Sequence, residues 1–440
     1  MNKMYNSIIR IISNDQDYDY LNPPNIIIDN QSIGTGFFIN SNIIITCAHV
    51  VENGKTLFFT IPYLSNKKYK LKILCIAPSI DLAILESLDY ASNDYLQLSN
   101  SDTINIQDPI RVFGFPLGQD KIKVTKCIIS GIQYGNIQID SPINGGNSGG
   151  PLINESNNVI GIISSSITTA AGVGYAVPTR LLNIFNPSNI SNIIYYSCDF
   201  LALFSNTSEH RIDMINKNLA SNEVLSGYTI SFLSKLSPLI NVGADVGDLI
   251  IEFDNNKINN FGELNINLAS KYDLTSYIDR LQTNKKYNIK FYNFKSGKII
   301  SNQIVFMNAD NLGIKKIIPI IHKLEYINLG GLILCPLTQN IICKKFKKLK
   351  KYIQNKHIFS PKIVVANISP TSYFKLSENI NQGNIIVKIN SIEISTIDDI
   401  RQLLKNLSSD VKYLTFETDK NIIDTINIDT IRSDIDLIIK

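Results

Sequence analysis

The 440-residue chain has no tryptophan, four methionines and four histidines, and only 18% of its residues are charged. Ile and Asn are heavily used, so the missing tryptophan reads as a coding bias of an A+T-rich genome. None of the six cysteines forms a C-x-x-C pair, which argues against structural zinc; no metal and no cofactor is expected. No apolar run reaches the length of a membrane-spanning helix, and Met1 to Arg10 lacks the apolar core of a secretory signal. No membrane association is therefore expected. The formal net charge of +4 is small for this length and gives no reason to expect a nucleic-acid partner. With 44% apolar residues the chain is globular rather than disordered, and its length suits about three domains.

What is present is concentrated in three motifs. Asn144-Gly145-Gly146-Asn147-Ser148-Gly149-Gly150-Pro151-Leu152 places a serine among glycines. Such a run costs stability unless the backbone needs unusual angles or a close approach. A nucleophilic serine needs both, because its oxygen must project from a tight turn while N–H groups converge beside it. Upstream lie Thr46-Cys47-Ala48-His49-Val50-Val51 and Ser79-Ile80-Asp81-Leu82-Ala83-Ile84-Leu85. The order His49, Asp81, Ser148 is the chymotrypsin-like order, distinct from those of subtilisins and α/β-hydrolases. In that chemistry Ser148 attacks, His49 takes and returns the proton, and Asp81 holds the imidazole. The N–H groups of Gly146, Asn147 and Ser148 are candidates for the oxyanion hole. His210, His322 and His357 have no such context and read as structural.

Residues 1 to about 190 carry short apolar runs between turn signals, such as Ile43-Ile44-Ile45 and Val159-Ile160-Gly161-Ile162-Ile163, and read as all-β. The triad order selects a double β-barrel, with Asn186-Pro187-Ser188-Asn189 as its exit linker. From residue 198 the texture becomes mixed α and β. Gly247-Asp248-Leu249-Ile250 and Gly383-Asn384-Ile385-Ile386 are the same event twice, a glycine turn opening an apolar strand. That divergent repeat predicts two related domains, 198–310 and 311–440. The basic run Lys344 to Lys351 reads as a solvated face packing Phe346 and Leu349 inward.

These motifs, together with Val173-Gly174-Tyr175-Ala176-Val177-Pro178, resemble the HtrA/Deg serine proteases. Leu274-Thr275-Ser276-Tyr277-Ile278 and the stretch Asn328 to Thr338 look like plant-type Deg proteases with a degenerate second PDZ domain. The resemblance implies a chymotrypsin-like double β-barrel followed by two α+β PDZ-like domains. It implies an ATP-independent endopeptidase acting on unfolded or exposed polypeptides, assembled as a trimer or hexamer. A silent chaperone-like binder and a dedicated processing protease, including a viral one, are the alternatives. Trypsin-like enzymes selecting Lys or Arg carry an Asp six residues before the nucleophile; here Pro142 stands there. Ile143, Ser165 and Ile167 are expected to form a small apolar S1 pocket. Val50 follows His49 where secreted relatives commonly have a disulfide cysteine, which favours reduced thiols and a cytoplasmic or nuclear setting, an organelle remaining open. Phe200-Leu201-Ala202-Leu203 has Ala202 where a carboxylate-binding loop usually has Gly, whereas Gly330-Gly331-Leu332-Ile333 fits such a loop better. Tyr18 and Tyr20 are either oligomer contacts or ordinary surface aromatics. Ser130 to Ile137 reads as a short connection replacing the family's activation loop.

Overall fold

The computed structural model describes all residues except 1, 24, 134, 165–171, 186–193, 220–224, 268–269, 307–312, 354, 409 and 440. The expected exit linker therefore lies outside the described residues. The chain divides into two compact units, Met1–Asp15 with Asp29–Ala309, and Gln16–Ile28 with Asp310–Lys440.

Within the first unit, twelve strands close into two barrels. β1 (Ile8–Tyr18), β2 (Ile26–Phe38), β3 (Ile43–Thr46), β4 (Gly54–Ile61), β5 (Ser65–Ala77) and β6 (Leu82–Ser87) close in the order β1-β2-β3-β6-β5-β4. β7 (Pro109–Gly114), β8 (Lys123–Gln133), β9 (Asn136–Ile139), β10 (Pro151–Asn154), β11 (Val159–Ser164) and β12 (Gly174–Pro178) close in the order β10-β11-β12-β9-β8-β7. The β-branched runs that fill these strands suit a pleated, buried surface. Closure also removes the unpaired edges an open sheet would expose. Phe38 and Phe59 are fully buried and meet edge to face at 5.7 Å. Burial of an aromatic of this size contributes roughly 1.5–3 kcal/mol. The stretch expected as a short connection, Ser130 to Ile137, is mostly strand. Gln133 pairs with Asn136 across a tight β8-β9 hairpin.

The first unit continues with β13 (Ala202–Ser205), β14 (Tyr228–Leu233), β15 (Leu249–Phe253), β16 (Asn256–Lys257), β17 (Glu263–Asn267), β18 (Ser270–Asp273), β19 (Lys286–Asn293) and β20 (Lys298–Val305). Their main sheet runs β13-β14-β15-β19-β20. A short helix, Leu274–Ile278, starts at Asp273, whose carboxylate accepts the Ser276 N–H. The second unit holds β21 (Ile327–Leu329), β22 (Leu332–Pro336), β23 (Ile363–Ile368), β24 (Ile385–Ile389), β25 (Ile392–Glu393), β26 (Tyr413–Thr418) and β27 (Ile423–Asn427), ordered β21-β22-β23-β24-β26-β27. Helix Ile397–Lys405 opens with a Thr396/Asp399 capping box and buries Ile397, Ile400, Leu403 and Leu404, one face at helical spacing.

The repeated glycine turns have matching hydrogen bonds. Gly247 N–H donates to Ile230 O and Gly383 N–H to Val365 O, both at 2.8 Å. Asp248 and Asn384 side chains accept from Asp245 N and Asn381 N at 2.8 and 2.6 Å. Each following strand then pairs with a two-residue strand, β16 or β25.

Tyr20 is fully buried in the second unit's core with Leu337 and Ile341, and Tyr18 Oη donates to His322 O at 2.8 Å. Tyr20 is therefore not a surface aromatic, whereas Tyr18 is half-buried. Asp17, whose carboxylate accepts from Tyr20 Oη, also pairs with Lys344. Phe346 and Leu349 of the basic run point into the same core.

Candidate active site

The first barrel supplies a preorganised imidazole. β3 ends at Thr46, Cys47 is extended, and the short helix Ala48–Val51 carries His49. Asp81 follows the turn after β5 with φ of 57°, a left-handed conformation that Asp tolerates better than most residues. Both Asp81 carboxylate oxygens lie 2.9 Å from His49 Nδ1, and Oδ1 accepts the His49 backbone N–H at 3.0 Å. Nδ1 therefore carries the proton, which leaves Nε2 as the basic nitrogen. Ser164 Oγ donates to Asp81 Oδ2 at 2.6 Å. Burial pushes the Asp81 carboxyl up, but the bonds from His49 and Ser164 outweigh it and hold it below the usual carboxylate range. Cys47, His49 and Asp81 ligand atoms lie within 4.8 Å of one another. A thiolate would be needed for metal binding, whereas burial pushes the Cys47 thiol up and it donates to Ile163 O at 3.1 Å.

The second barrel supplies the serine, on the loop between β9 and β10. Asn147 N–H donates to Asn144 O at 3.1 Å, closing a turn whose third residue, Gly146, has φ of 95°. That position requires a residue without a side chain. A Cβ at Gly146 would stand 2.2 Å from Phe115 O, and one at Gly149 would stand 2.1 Å from Thr35 O. Gly145 O accepts from Leu117 N at 2.6 Å. Because the peptide is planar and trans, this aims the Gly146 N–H to the opposite side. Ser148 is buried, and its carbonyl accepts the Thr35 N–H at 2.8 Å.

Sequence reasoning missed two residues here. Thr35 Oγ1 donates to Gly146 O at 2.6 Å and accepts from Phe115 N, pinning the serine loop to β2. Its signal was available in Gly34-Thr35-Gly36, a polar residue between glycines at a strand end. Ser164, the donor to Asp81, had none. Ile143 is half-buried against the second barrel's core, and a Cβ on Gly174 would come within 2.7 Å of its Cδ1. Ser165 and Ile167 lie outside the described residues.

The two loops considered for peptide carboxylates are both met by internal carboxylates. Asp199 Oδ1 accepts the Leu201 N–H at 2.8 Å. Asp434 Oδ2 accepts the Gly330 N–H at 2.7 Å, while Asn328 takes the Gly331 N–H. The better fit expected of Gly330-Gly331 thus gives way, because helix Arg432–Ile439 brings its own acid to that loop.

Two closed six-stranded barrels, with a histidine-aspartate pair on one and a glycine-braced serine on the other, define a trypsin-like serine peptidase. Residues 34–162 match the trypsin-like peptidase domain family. The chain is 26% identical to the mitochondrial Do-like protease 3 of Arabidopsis thaliana over 94% of this chain and 75% of that protein. It is 23% identical to Arabidopsis Do-like protease 4, also named as mitochondrial, over 89% of this chain and 75% of that protein. The HtrA-type protease AlgW with tripeptide shares the fold with a TM-score of 0.52 at 19% identity, covering 70% of this chain and 95% of that one. These similarities support an HtrA/Deg serine protease, and the chain is a serine endopeptidase. Among the described residues, no helix is long and apolar enough to cross a membrane.

Proposed function

We propose that Ser148 is the nucleophile, His49 its general base and acid, and Asp81 the group that orients and charges His49. The observation that carries this is the clamp on His49 Nδ1 by both Asp81 oxygens at 2.9 Å. A clamped Nδ1–H leaves Nε2 free of its own proton, as a base toward a serine requires. The reaction runs through an acyl-enzyme on Ser148, with the oxyanion received by N–H groups of Gly146, Asn147 and Ser148. Labelling with a fluorophosphonate tests this directly: Ser148 should be the modified residue, and an unlabelled Ser148 in folded protein overturns it.

Substrates are unfolded or exposed polypeptides, cut after small apolar residues such as Val, Ile or Ala in a pocket formed with Ile143, Ser165 and Ile167. Discrimination in such a pocket amounts to roughly 1–3 kcal/mol per methylene, so cleavage is broad. A peptide library cut mainly after Lys or Arg would refute this assignment. The working form is a homo-oligomer, trimeric or built from trimers. All six cysteines are free thiols, four of them buried, which suits a reducing compartment. The relatives' mitochondrial names make an organelle the first place to look.

A further inference from the structure

The basic run of the second unit is built as a surface. Lys347–Ile353 forms a 3-10 helix, and the Leu349 N–H donates to Phe346 O at 2.8 Å, which carries the three-residue period back to Phe346. With three residues per turn, every third side chain falls on one ridge. Phe346, Leu349 and Tyr352 make the buried ridge and enter the core with Leu337 and Ile341. The other two ridges are left to lysine. Lys347 and Lys350 stand on one, Lys348 and Lys351 on the other, with Lys345 in the turn just ahead, and all five are exposed.

The charge is also segregated. Nine lysines and no acid lie between Glu325 and Glu378, while acids outnumber bases in the rest of that unit. The small net charge of the whole chain conceals this. Lys344 is paired with Asp17, and Lys351 Nζ lies 3.9 Å from Asp419. Lys345, Lys347, Lys348 and Lys350 form no ion pair among the described residues. The buried ridge thus holds like charges side by side, and a polyanion would relieve their repulsion.

Three features select the polyanion. Successive lysines on a ridge are about 6 Å apart along the helix axis, close to the separation of neighbouring phosphates on a strand. No aromatic or apolar side chain is exposed from Lys344 to Tyr352. Unpaired bases therefore find nothing to stack on, and a bilayer receives nothing to insert. A flat bilayer would also bring anionic headgroups within reach of that unit's acids, whereas a narrow duplex can lie along the ridges alone.

We propose that these lysine ridges bind the phosphate backbone of a nucleic-acid duplex without sequence preference. Contacts to phosphate position a protein on a duplex and carry no sequence information. The assignment is independent of the roles given to His49, Asp81 and Ser148. It is tested on the full chain with a fluorescent DNA duplex of about 20 base pairs, followed by anisotropy from about 50 mM salt upward. Binding should weaken with salt on a logarithmic slope of roughly −3 to −4, near −0.9 for each unpaired lysine. A duplex of unrelated sequence should bind equally. Lys347→Gln combined with Lys350→Gln should weaken binding at least tenfold and reduce the slope by about 2. Arginine at both positions should retain it. Both lysines are exposed, so the variants should fold as the parent does, which an unchanged Tm checks. No measurable binding, binding unchanged in the glutamine variant, or tighter binding of the single strand overturns the proposal. Phosphatidylserine vesicles that displace the duplex and bind more tightly also overturn it, because the face then serves a membrane.

Discussion

The surroundings of Asp81 and of Asp279 treat a buried carboxylate in opposite ways. Asp81 and Asp279 both line a single cavity between the second barrel and helix Leu274–Ile278. Asp81 is surrounded by donors, namely the His49 ring, the His49 backbone and Ser164. Asp279 faces Asp199 and Asp273 instead, with Ser197 as its hydroxyl partner. The first acid is stabilised as a charge and the second is penalised as one. A satisfied charge positions a neighbour, whereas an unsatisfied one is held at a cost that a ligand can remove.

The largest effect is expected on the Asp81 side of the comparison, from Ser148→Ala. Peptide hydrolysis should fall on the order of 10^6-fold while the fold remains. A peptide-hydrolysis assay and circular dichroism check both halves. Asp81→Asn should reduce kcat on the order of 10^4-fold, because the amide favours the wrong imidazole tautomer. A change below tenfold would show that the clamp on Nδ1 is not what sets the base. Ser164→Ala removes one of the donors to Asp81. A hydrogen bond to a charged group contributes roughly 1.5–3 kcal/mol, so a loss of about tenfold or more in kcat is expected. Its alkaline-going pH profile should shift as well, which a purely structural role would not produce.

The smallest effect, but the most direct on the comparison, is on stability against pH. The folded-state pKa of Asp81 is lowered, so its contribution is present above the unfolded value of about 3.9 and is lost as pH falls. That of Asp279 is raised to about 7, so the folded state is favoured while the group is protonated. That advantage erodes as pH rises from about 4 to about 7. Asp279→Asn should therefore raise Tm at pH 8 and leave it nearly unchanged at pH 4. Equal Tm for both proteins at pH 8 would remove the penalty from Asp279.

Much of this was legible in one dimension. Motifs around His49, Asp81 and Ser148 pointed to a serine peptidase, because a serine turn and a strand end leave local residue signatures. The turns at Gly247 and Gly383 were visible for the same reason: a positive φ before a buried strand favours glycine. Thr35 and Ser164 were not read. Their partners lie 111 and 83 residues away along the chain, and nothing local marks a hydroxyl that will meet such a partner. Tyr20 is buried although a loop before a barrel looks like surface. Here the segment Gln16–Ile28, which includes the end of β1 and the start of β2, belongs to the compact unit formed with Asp310–Lys440.

The sequence by itself determined the class of chemistry and the barrel that carries it, since order, spacing and glycine content encode local backbone demands. Only the tertiary structure decided the electrostatic state of each acid. Whether a carboxylate meets donors, as Asp81 does, or other carboxylates, as Asp279 does, depends on which distant strands and helices the fold brings against it.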